Sequence, residues 1–228
     1  MMEFTYYGHS CFLIEIDGNK ILFDPFISGN PLIEEFYLST IKADYILISH
    51  GHEDHIADLM EIAKNTKALV IATAEIADWV VNQGYENVHP INFGSKSFPF
   101  GDLYFVPAAH SSSLPDGSYG GNPGGFVVKT KNGAFYYAGD TCLTMDMQLI
   151  PLYADLDWAI LPIGGNFTMD YKDAVHCSEF IKCDKVVGVH FDTFGFIEIN
   201  HEHAKSYFNE KGKKLVLPEI GKTVTLSK

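Results

Sequence analysis

The sequence lacks any basic stripe. Its formal net charge is −13 over 228 residues, so nothing along it would neutralise a phosphate backbone, and nucleic acid drops out as an expected main partner. No apolar run approaches the roughly 20 residues that a membrane span needs, and no membrane partner is expected. The opening residues, Met-Met-Glu-Phe-Thr-Tyr-Tyr-Gly-His, hold neither a basic n-region nor an apolar h-region. The four cysteines, Cys11, Cys142, Cys177 and Cys183, form no CxxC pair and no dense disulfide framework. Reduced thiols in a cytoplasmic protein are the expectation. A G-x-S-x-G nucleophile elbow is also missing, which leaves Ser111-Ser112-Ser113 without the context of a serine hydrolase. Short-period repeats, low-complexity tracts and linkers are absent too, so residues 1–228 read as one globular domain.

What is present is an ordinary folded composition, 46% hydrophobic and 20% charged with 20 Gly and 10 Pro. Strand signals open the chain at Phe4 to Tyr7, Cys11 to Ile16 and Lys20 to Asp24, the last two joined by an Asp17-Gly18 hairpin turn. Asp44 to Ser49 is a continuous apolar run suited to a buried strand. Helical spacing of Ile56, Leu59, Met60, Ile62 and Ala63 starts a helix near Glu53. A strand at Ala68 to Ala72 precedes a helix capped by Thr73 and ended at Gly84. The middle is mainly β: Val88 to Asn92, Leu103 to Ala108, Gly125 to Thr130 and Ala134 to Ala138. A strand at Asp157 to Ile163, a helix at Asp170 to Lys182, a strand at Val186 to Val189, a helix at His203 to Glu210 and a strand near Leu215 follow. Strands and helices alternate in both halves, and this predicts an α/β fold, an αββα sandwich of two β-sheets flanked by helices.

The chemistry concentrates in His50-Gly51-His52-Glu53-Asp54-His55. This segment lies where a buried strand gives way to a helix. Imidazoles at 50 and 52 leave an extended strand on one face, because strand periodicity is two, while Asp54 and His55 fall in the turn that follows. Imidazole with carboxylate is the donor set that zinc and similar borderline ions accept. A solvated polar loop is the plainer explanation, but three His and an Asp within six residues fit it poorly.

HxHxDH after an apolar strand resembles the signature of the metallo-β-lactamase superfamily. The later elements of that pattern follow in order: His110 after Leu103 to Ala109, Asp140 in Ala138-Gly139-Asp140-Thr141, and His190 after Val186 to Val189. The likeness covers essentially the whole chain. It is closest to a branch of small metal-dependent hydrolases related to the ascorbate-6-phosphate lactonases, on the strength of Tyr6-Tyr7-Gly8-His9-Ser10-Cys11, Phe23-Asp24-Pro25-Phe26 and Gly165-Asn166-Phe167-Thr168-Met169. The resemblance implies a metallo-β-lactamase fold with two divalent metal ions, zinc first, with manganese or iron as alternatives. His50, His52 and His110 would hold one ion, Asp54, His55 and His190 the other, and Asp140 would bridge them. A hydroxide between the ions would attack a small ester, lactone or phosphoester, with Asp54 and Asp140 as proton acceptors. Diiron oxygen and nitric-oxide reductases of similar fold usually carry Glu where this chain has His52, so hydrolysis is favoured over redox chemistry.

Three further residues are candidates beside the ligands. Asp24 would orient a ligand histidine, the alternative being a structural turn. His9 would meet substrate or cap a loop. Asn166 would donate to an oxyanion, or simply form its turn. His201 and His203 are read as surface, and His176 as a partly buried helix residue. The glycine-rich loop 115–125 is expected to overhang the site. Phe98, Phe100, Phe105, Phe167, Phe194 and Tyr119 are divided between core and pocket in a way the sequence does not resolve. The competing functions are a non-catalytic metal-binding sensor or scaffold, whose mark would be a lost ligand, and a phosphodiesterase or nuclease, which the charge disfavours. A small-molecule substrate is expected, and a homo-oligomer too, since homo-oligomers are common.

Overall fold

Alternating burial along the first strand sets the architecture. In β1 (Met2–Gly8) every second residue is buried, as for a strand with one face on a core. The structure, a computed structural model, describes residues 2–228. Its first sheet has the order β14-β1-β2-β3-β4-β5-β6, built from β1, β2 (Cys11–Ile16), β3 (Asn19–Phe23), β4 (Tyr45–Leu47), β5 (Leu69–Ala72), β6 (Val88–Pro90) and β14 (Thr223–Leu226). The second has the order β13-β12-β11-β10-β9-β8-β7, from β7 (Gly94–Phe98), β8 (Gly101–Pro107), β9 (Gly124–Lys129), β10 (Ala134–Tyr137), β11 (Trp158–Pro162), β12 (Lys185–Val189) and β13 (Lys214–Val216).

Three apolar clusters define four layers. Phe4, Phe12, Phe23, Phe126, Phe135 and Tyr137 fill the space between the sheets. Outside the first sheet, α2 (Leu59–Thr66) and α3 (Ala74–Asn82) pack Ile62, Ala63, Ile76 and Val80 onto Ile46, Ile48 and Val70. Outside the second, α4 (Tyr171–Phe180) and α5 (His201–Glu210) bring Val175, Cys177 and Phe208 onto Val127, Tyr136 and Val186. This is the expected αββα sandwich. Among the described residues no helix is long and apolar enough to cross a membrane.

Local signals behave as their chemistry requires. Asp17 and Gly18 both have positive φ, +54° and +78°, as the hairpin turn between β2 and β3 needs. Thr73 caps α3 by accepting from the Ile76 amide, and Gly84 follows that helix at φ +84°. Other expectations shift. The helix expected from Glu53 is split into α1 (Glu53–Ile56) and α2, and buried Asp58 in the break turns back to accept from the Ile27 and Ser28 amides. The helix expected from His203 begins at His201. β7 and β14, and a 3₁₀ segment at Met145–Leu152 that contains Pro151, were not anticipated.

Strand direction brings the chemistry to one edge. β1 and β2 are antiparallel, as are β2 and β3, while β3 and β4 are parallel. Therefore β1, β3 and β4 all point the same way. In the second sheet two antiparallel steps from β8 to β10, then parallel steps to β11 and β12, align β8, β10 and β12. Six C-terminal strand ends thus meet on one edge of the sandwich, and the His190 amide donates to the His9 carbonyl across the two sheets at 2.8 Å.

Phe23 is fully buried, with its ring 4.6 Å from Phe12 and edge-on to Phe126, Phe135 and Tyr137. Phe23→Ala is expected to lower unfolding free energy by about 3–5 kcal/mol, measured by urea denaturation. A loss below about 1 kcal/mol would mean the inter-sheet layer is not packed as described.

Candidate metal centre

Six of the candidate residues sit just past those strand ends, and His52, Asp54 and His55 follow His50 at the start of α1 and within it. His9 follows β1, Asp24 β3, His50 β4, His110 β8, Asp140 β10 and His190 β12. His9, Asp24 and His190 have left-handed backbone, with φ +54°, +42° and +54°. Non-glycine residues adopt this region rarely, and it turns each side chain out of its strand's path.

Asp24 organises the floor. It is fully buried. Its Oδ1 accepts from the Ser49 amide at 2.8 Å, and its Oδ2 accepts from Ser49 Oγ at 2.6 Å, Tyr137 OH at 2.6 Å and His55 Nδ1 at 2.9 Å. These contacts fix two tautomers. Ser49 has a single hydroxyl proton, and the short contact to Asp24 takes it. Ser49 Oγ must then accept from His50 Nδ1, 2.9 Å away. That leaves the Nε2 lone pairs of His50 and His55 facing into the cluster.

The side chains fall into two overlapping groups. Donor atoms of His50, His52 and His110 lie within 4.8 Å of one another, and so do those of His9, Asp54, His55 and His190. Asp140 joins them, its Oδ2 2.9 Å from His190 Nε2, 3.3 Å from His55 Nε2 and 3.6 Å from His110 Nε2. All seven expected ligand positions are brought together. His9 was expected at substrate or a loop. It is instead buried beneath Asp54, with Nε2 3.0 Å from Asp54 Oδ2 and Nδ1 2.9 Å from Thr193 Oγ1.

The donor set fits divalent cations on an observation internal to the protein. His55 Nε2, His190 Nδ1 and Asp140 Oδ1 are buried with no hydrogen-bond partner among the described residues, a condition that costs about 1–3 kcal/mol per group unless another species satisfies it. Charge points the same way. Burial, reinforced by His55, His52 and His110, holds His50 well below the usual imidazole range, and burial lowers His52 and His110 also. Burial likewise brings His9 down to about 4, with His190 adding to it. These rings are neutral, as metal ligation requires. Burial opposes ionisation of Asp140, yet His190 and His55 outweigh it and hold the carboxyl well below its ordinary value. Burial equally opposes a charge on His55, but Asp140 and Asp24 overcome it and raise that ring. The cluster therefore draws positive charge to the point that His55 Nε2 faces, which is what a bound cation supplies.

Above the cluster lies a cavity of about 260 Å³. Its floor includes His52, Asp54 and Asp140, and its walls are Ser111, Phe167 and Phe194. A larger hollow of about 430 Å³, lined by Tyr104 and Met147, touches none of these residues. Donor atoms, not size, mark the smaller one. Several expectations are corrected here. Loop 115–125 does not line the cavity. It lies behind the HxH turn, where Gly120 approaches Gly51 and its carbonyl accepts from Thr73 Oγ1. Asn166, at φ +57°, is exposed and outside the cavity, while its neighbour Phe167 faces it. His176 is exposed and paired with Glu179 rather than partly buried. His201 and His203 are exposed, as expected. Phe100 and Phe105 belong to the core, with Phe98 packed against it, and Tyr119 is exposed beside Asn122. Of the run Ser111-Ser112-Ser113, whose place after His110 marks it as a candidate to touch substrate, Ser111 lines the cavity and Ser112 Oγ accepts from the Gly51 amide; Ser49, Tyr137 and Thr193 carry no signal in the sequence.

The model of the beta-lactamase superfamily domain matches residues 3–190. A Flavobacterium johnsoniae protein named a metal-dependent hydrolase is 54% identical over 226 residues, which is 99% of this chain and 100% of the relative. A Staphylococcus carnosus protein of the same name is 41% identical and covers 95% of this chain and 97% of its own. A novel metallo hydrolase from the archaeon Ignicoccus hospitalis superposes with TM-score 0.88 at 34% identity, covering 98% of this chain and 97% of that one. An isothiocyanate hydrolase from Delia radicum gut bacteria has TM-score 0.81 over 99% of both chains, at 19% identity, and so shares the fold.

Two outcomes follow from this geometry. Asp24→Asn is expected to weaken divalent-metal affinity about 10- to 100-fold, read by competition with a chromophoric chelator, because an amide cannot accept from all four donors. Unchanged affinity would remove Asp24 from the account. In metal-free protein His9 is protonated near pH 6.5 when unfolded but only near 4 when folded. The unfolded state therefore binds more protons between these values, and stability falls as pH drops from about 6.5 to 4. Urea melts across that window should slope less steeply for His9→Gln than for wild type.

Proposed function

Because the chain belongs to the β-lactamase superfamily, with the metallo-β-lactamase fold and among relatives named metal-dependent hydrolases, we propose that it hydrolyses a small ester, lactone or phosphoester with two divalent ions, zinc first and manganese or iron as alternatives. The observation that carries this reading is the edge cluster, in which neutral imidazoles, ionised carboxylates and orphaned buried donor atoms converge below one cavity. His50, His52 and His110 would hold one ion, and Asp54, His55 and His190 the other. Asp140 would bridge, since its Oδ2 already reaches both groups. When bound, such a pair lowers the pKa of water from about 15.7 towards 7 and polarises the substrate oxygen.

The chain's own residues do the rest. Asp24, through Ser49 and His55, keeps two imidazoles in the ligating tautomer. Thr193 lies 2.9 Å from His9 Nδ1 and only 3.4 Å from its other partner, the Phe191 carbonyl. Its hydroxyl is better placed to donate to His9, whose Nε2–H then donates to Asp54 and fixes that carboxylate. Asp54 and Asp140 are positioned to accept the proton that the attacking water gives up, and Asp54 can return it to the leaving oxygen. Four unpaired thiols, three of them buried, fit the cytoplasmic setting of this reading. A non-catalytic sensor would be expected to have lost a ligand, and every ligand position is filled.

Turnover of a panel of generic esters, lactones and phosphodiesters by metal-loaded protein, set against the chelated form, is the test. Asp54→Ala is expected to abolish turnover, a loss of at least about 100-fold, while circular dichroism and melting stay near wild type. Full activity in that variant would defeat the mechanism. Inert substrates with metal fully bound would favour the sensor.

A further inference from the structure

The ligand cluster accounts for the floor of the cavity but not for its mouth. Two loops place exposed rings there. Phe167 is 51% exposed and rises from a tight turn, held by Gly165 and Met169 hydrogen bonds and by Gly165 and Asn166 in left-handed backbone. Phe194 is 36% exposed and precedes the 3₁₀ turn Gly195–Ile197, which closes through the Ile197 amide on the Phe194 carbonyl. Phe196, at 78% exposure, lies 6.2 Å from Phe167. Two large rings lining the cavity and held in water by ordered turns, with Phe196 beside one of them, cost free energy that burial against an apolar ligand would recover.

Charge at the mouth is as telling. The sequence contains no arginine, and its 16 cationic residues are all lysines. None of them lines the cavity. The one neutral donor on the wall is Ser111, whose Oγ lies 3.3 Å from His52 Nε2. A phosphate or second carboxylate on a substrate would keep charged oxygens beyond those a metal pair takes up. These oxygens would meet ring faces, in a chain of net charge −13, without the bidentate cationic fork that such groups are recognised by.

We infer that the substrate is an uncharged carboxylic ester or lactone with an apolar portion, gripped between Phe167 and Phe194, and that phosphorylated substrates are rejected. This rests on the hydrolase reading above and narrows it. In the reaction a water oxygen bonds to the acyl carbon as the acyl C–O bond breaks. One water proton passes to the departing alkoxide, giving an alcohol, and the other leaves as the acid ionises. The phosphoester arm of the broader reading is thereby set aside, as is a phosphorylated lactone of the kind named for the ascorbate-6-phosphate lactonases.

The experiment uses the metal-loaded full chain with p-nitrophenyl acetate, butyrate and hexanoate, p-nitrophenyl phosphate and bis-p-nitrophenyl phosphate. KM is expected to fall about threefold to fourfold per added methylene, and both phosphoesters to be at least about 100-fold poorer in kcat/KM. Phe167→Ala and Phe194→Ala should each raise KM for the hexanoate about tenfold and flatten the chain-length trend. Phe167→Leu should restore most of it, and metal content by elemental analysis should be unchanged throughout. A flat trend in wild type, or phosphoesters turned over better than esters, overturns the inference. Calorimetry with 2-nonanone and with phenyl phosphate separates it from the hydrolase reading. If no ester turns over but 2-nonanone binds in a Phe167-dependent manner and phenyl phosphate does not, the apolar site stands and the hydrolase reading falls. If 2-nonanone fails to bind, the inference falls whatever the turnover.

Discussion

A single carboxylate buried away from all solvent holds the site together. Asp24 lies at the end of β3, and its four donors come from the end of β4, from α1 and, through Tyr137, from the opposite sheet. Removing a carboxylate from water costs several kcal/mol, and only a full complement of hydrogen bonds offsets that. The consequence is geometric. Ser49, His55 and Tyr137 cannot move independently without leaving a buried carboxylate unpaired, so the two sheets are registered against each other at the edge where the candidate ligands sit. Two of these four contacts, from Ser49 Oγ and His55 Nδ1, also set the imidazole tautomers, which ties the stability of the sandwich edge to its chemistry.

Backbone strain is concentrated at the same edge. Of the non-glycine residues with positive φ, His9, Asp24 and His190 belong to the cluster, and Asn166 and Asp192 lie on the loops around it. Such conformations cost about 1–3 kcal/mol each and persist only where their surroundings over-determine them. Here the surroundings are visible: His190 donates its amide to the His9 carbonyl, and Asp192 accepts from the Ile199 amide. The strand ends are turned sharply so that side chains from six strands face one volume instead of continuing along their sheets.

Much of this was legible in the sequence, for a physical reason. His50, His110, Asp140 and His190 each follow an uninterrupted apolar strand, and a polar ligand-type residue after such a run stands out. The central parallel strands, buried on both faces, announce themselves in the same way. The edge strand β7 does not. Gly94–Phe98 is mostly polar and exposed, so no apolar alternation marks it, and its pairing with β8 supplies the order. The braces were hidden for a different reason. Ser49 and Tyr137 read as strand residues, and His9 meets Asp54 across 45 positions, a separation that only the parallel return of β1 and β4 to one edge closes. The aromatics divided where sequence had no means of dividing them: Phe105 and Phe167 are the same residue type, and only loop geometry puts one in the core and the other at the mouth.

The balance of charge gives the arrangement a direction. On the substrate class inferred above, what enters is neutral and what leaves is a carboxylate. The chain offers that carboxylate no arginine and no cavity-lining lysine, and its overall charge of −13 repels it. The charged end of that anion would then be held by the metal centre alone, with no cation on the walls to add to it. Cleavage of the acyl C–O bond would part the alcohol of an open-chain ester from the carbonyl carbon, so an apolar alcohol would keep the walls without the centre, while an acyl chain would stay bonded to the carboxylate. The shortage of cations that would turn phosphorylated compounds away would thus also weaken the hold on the product carboxylate, giving selectivity at entry and release at exit a common physical origin.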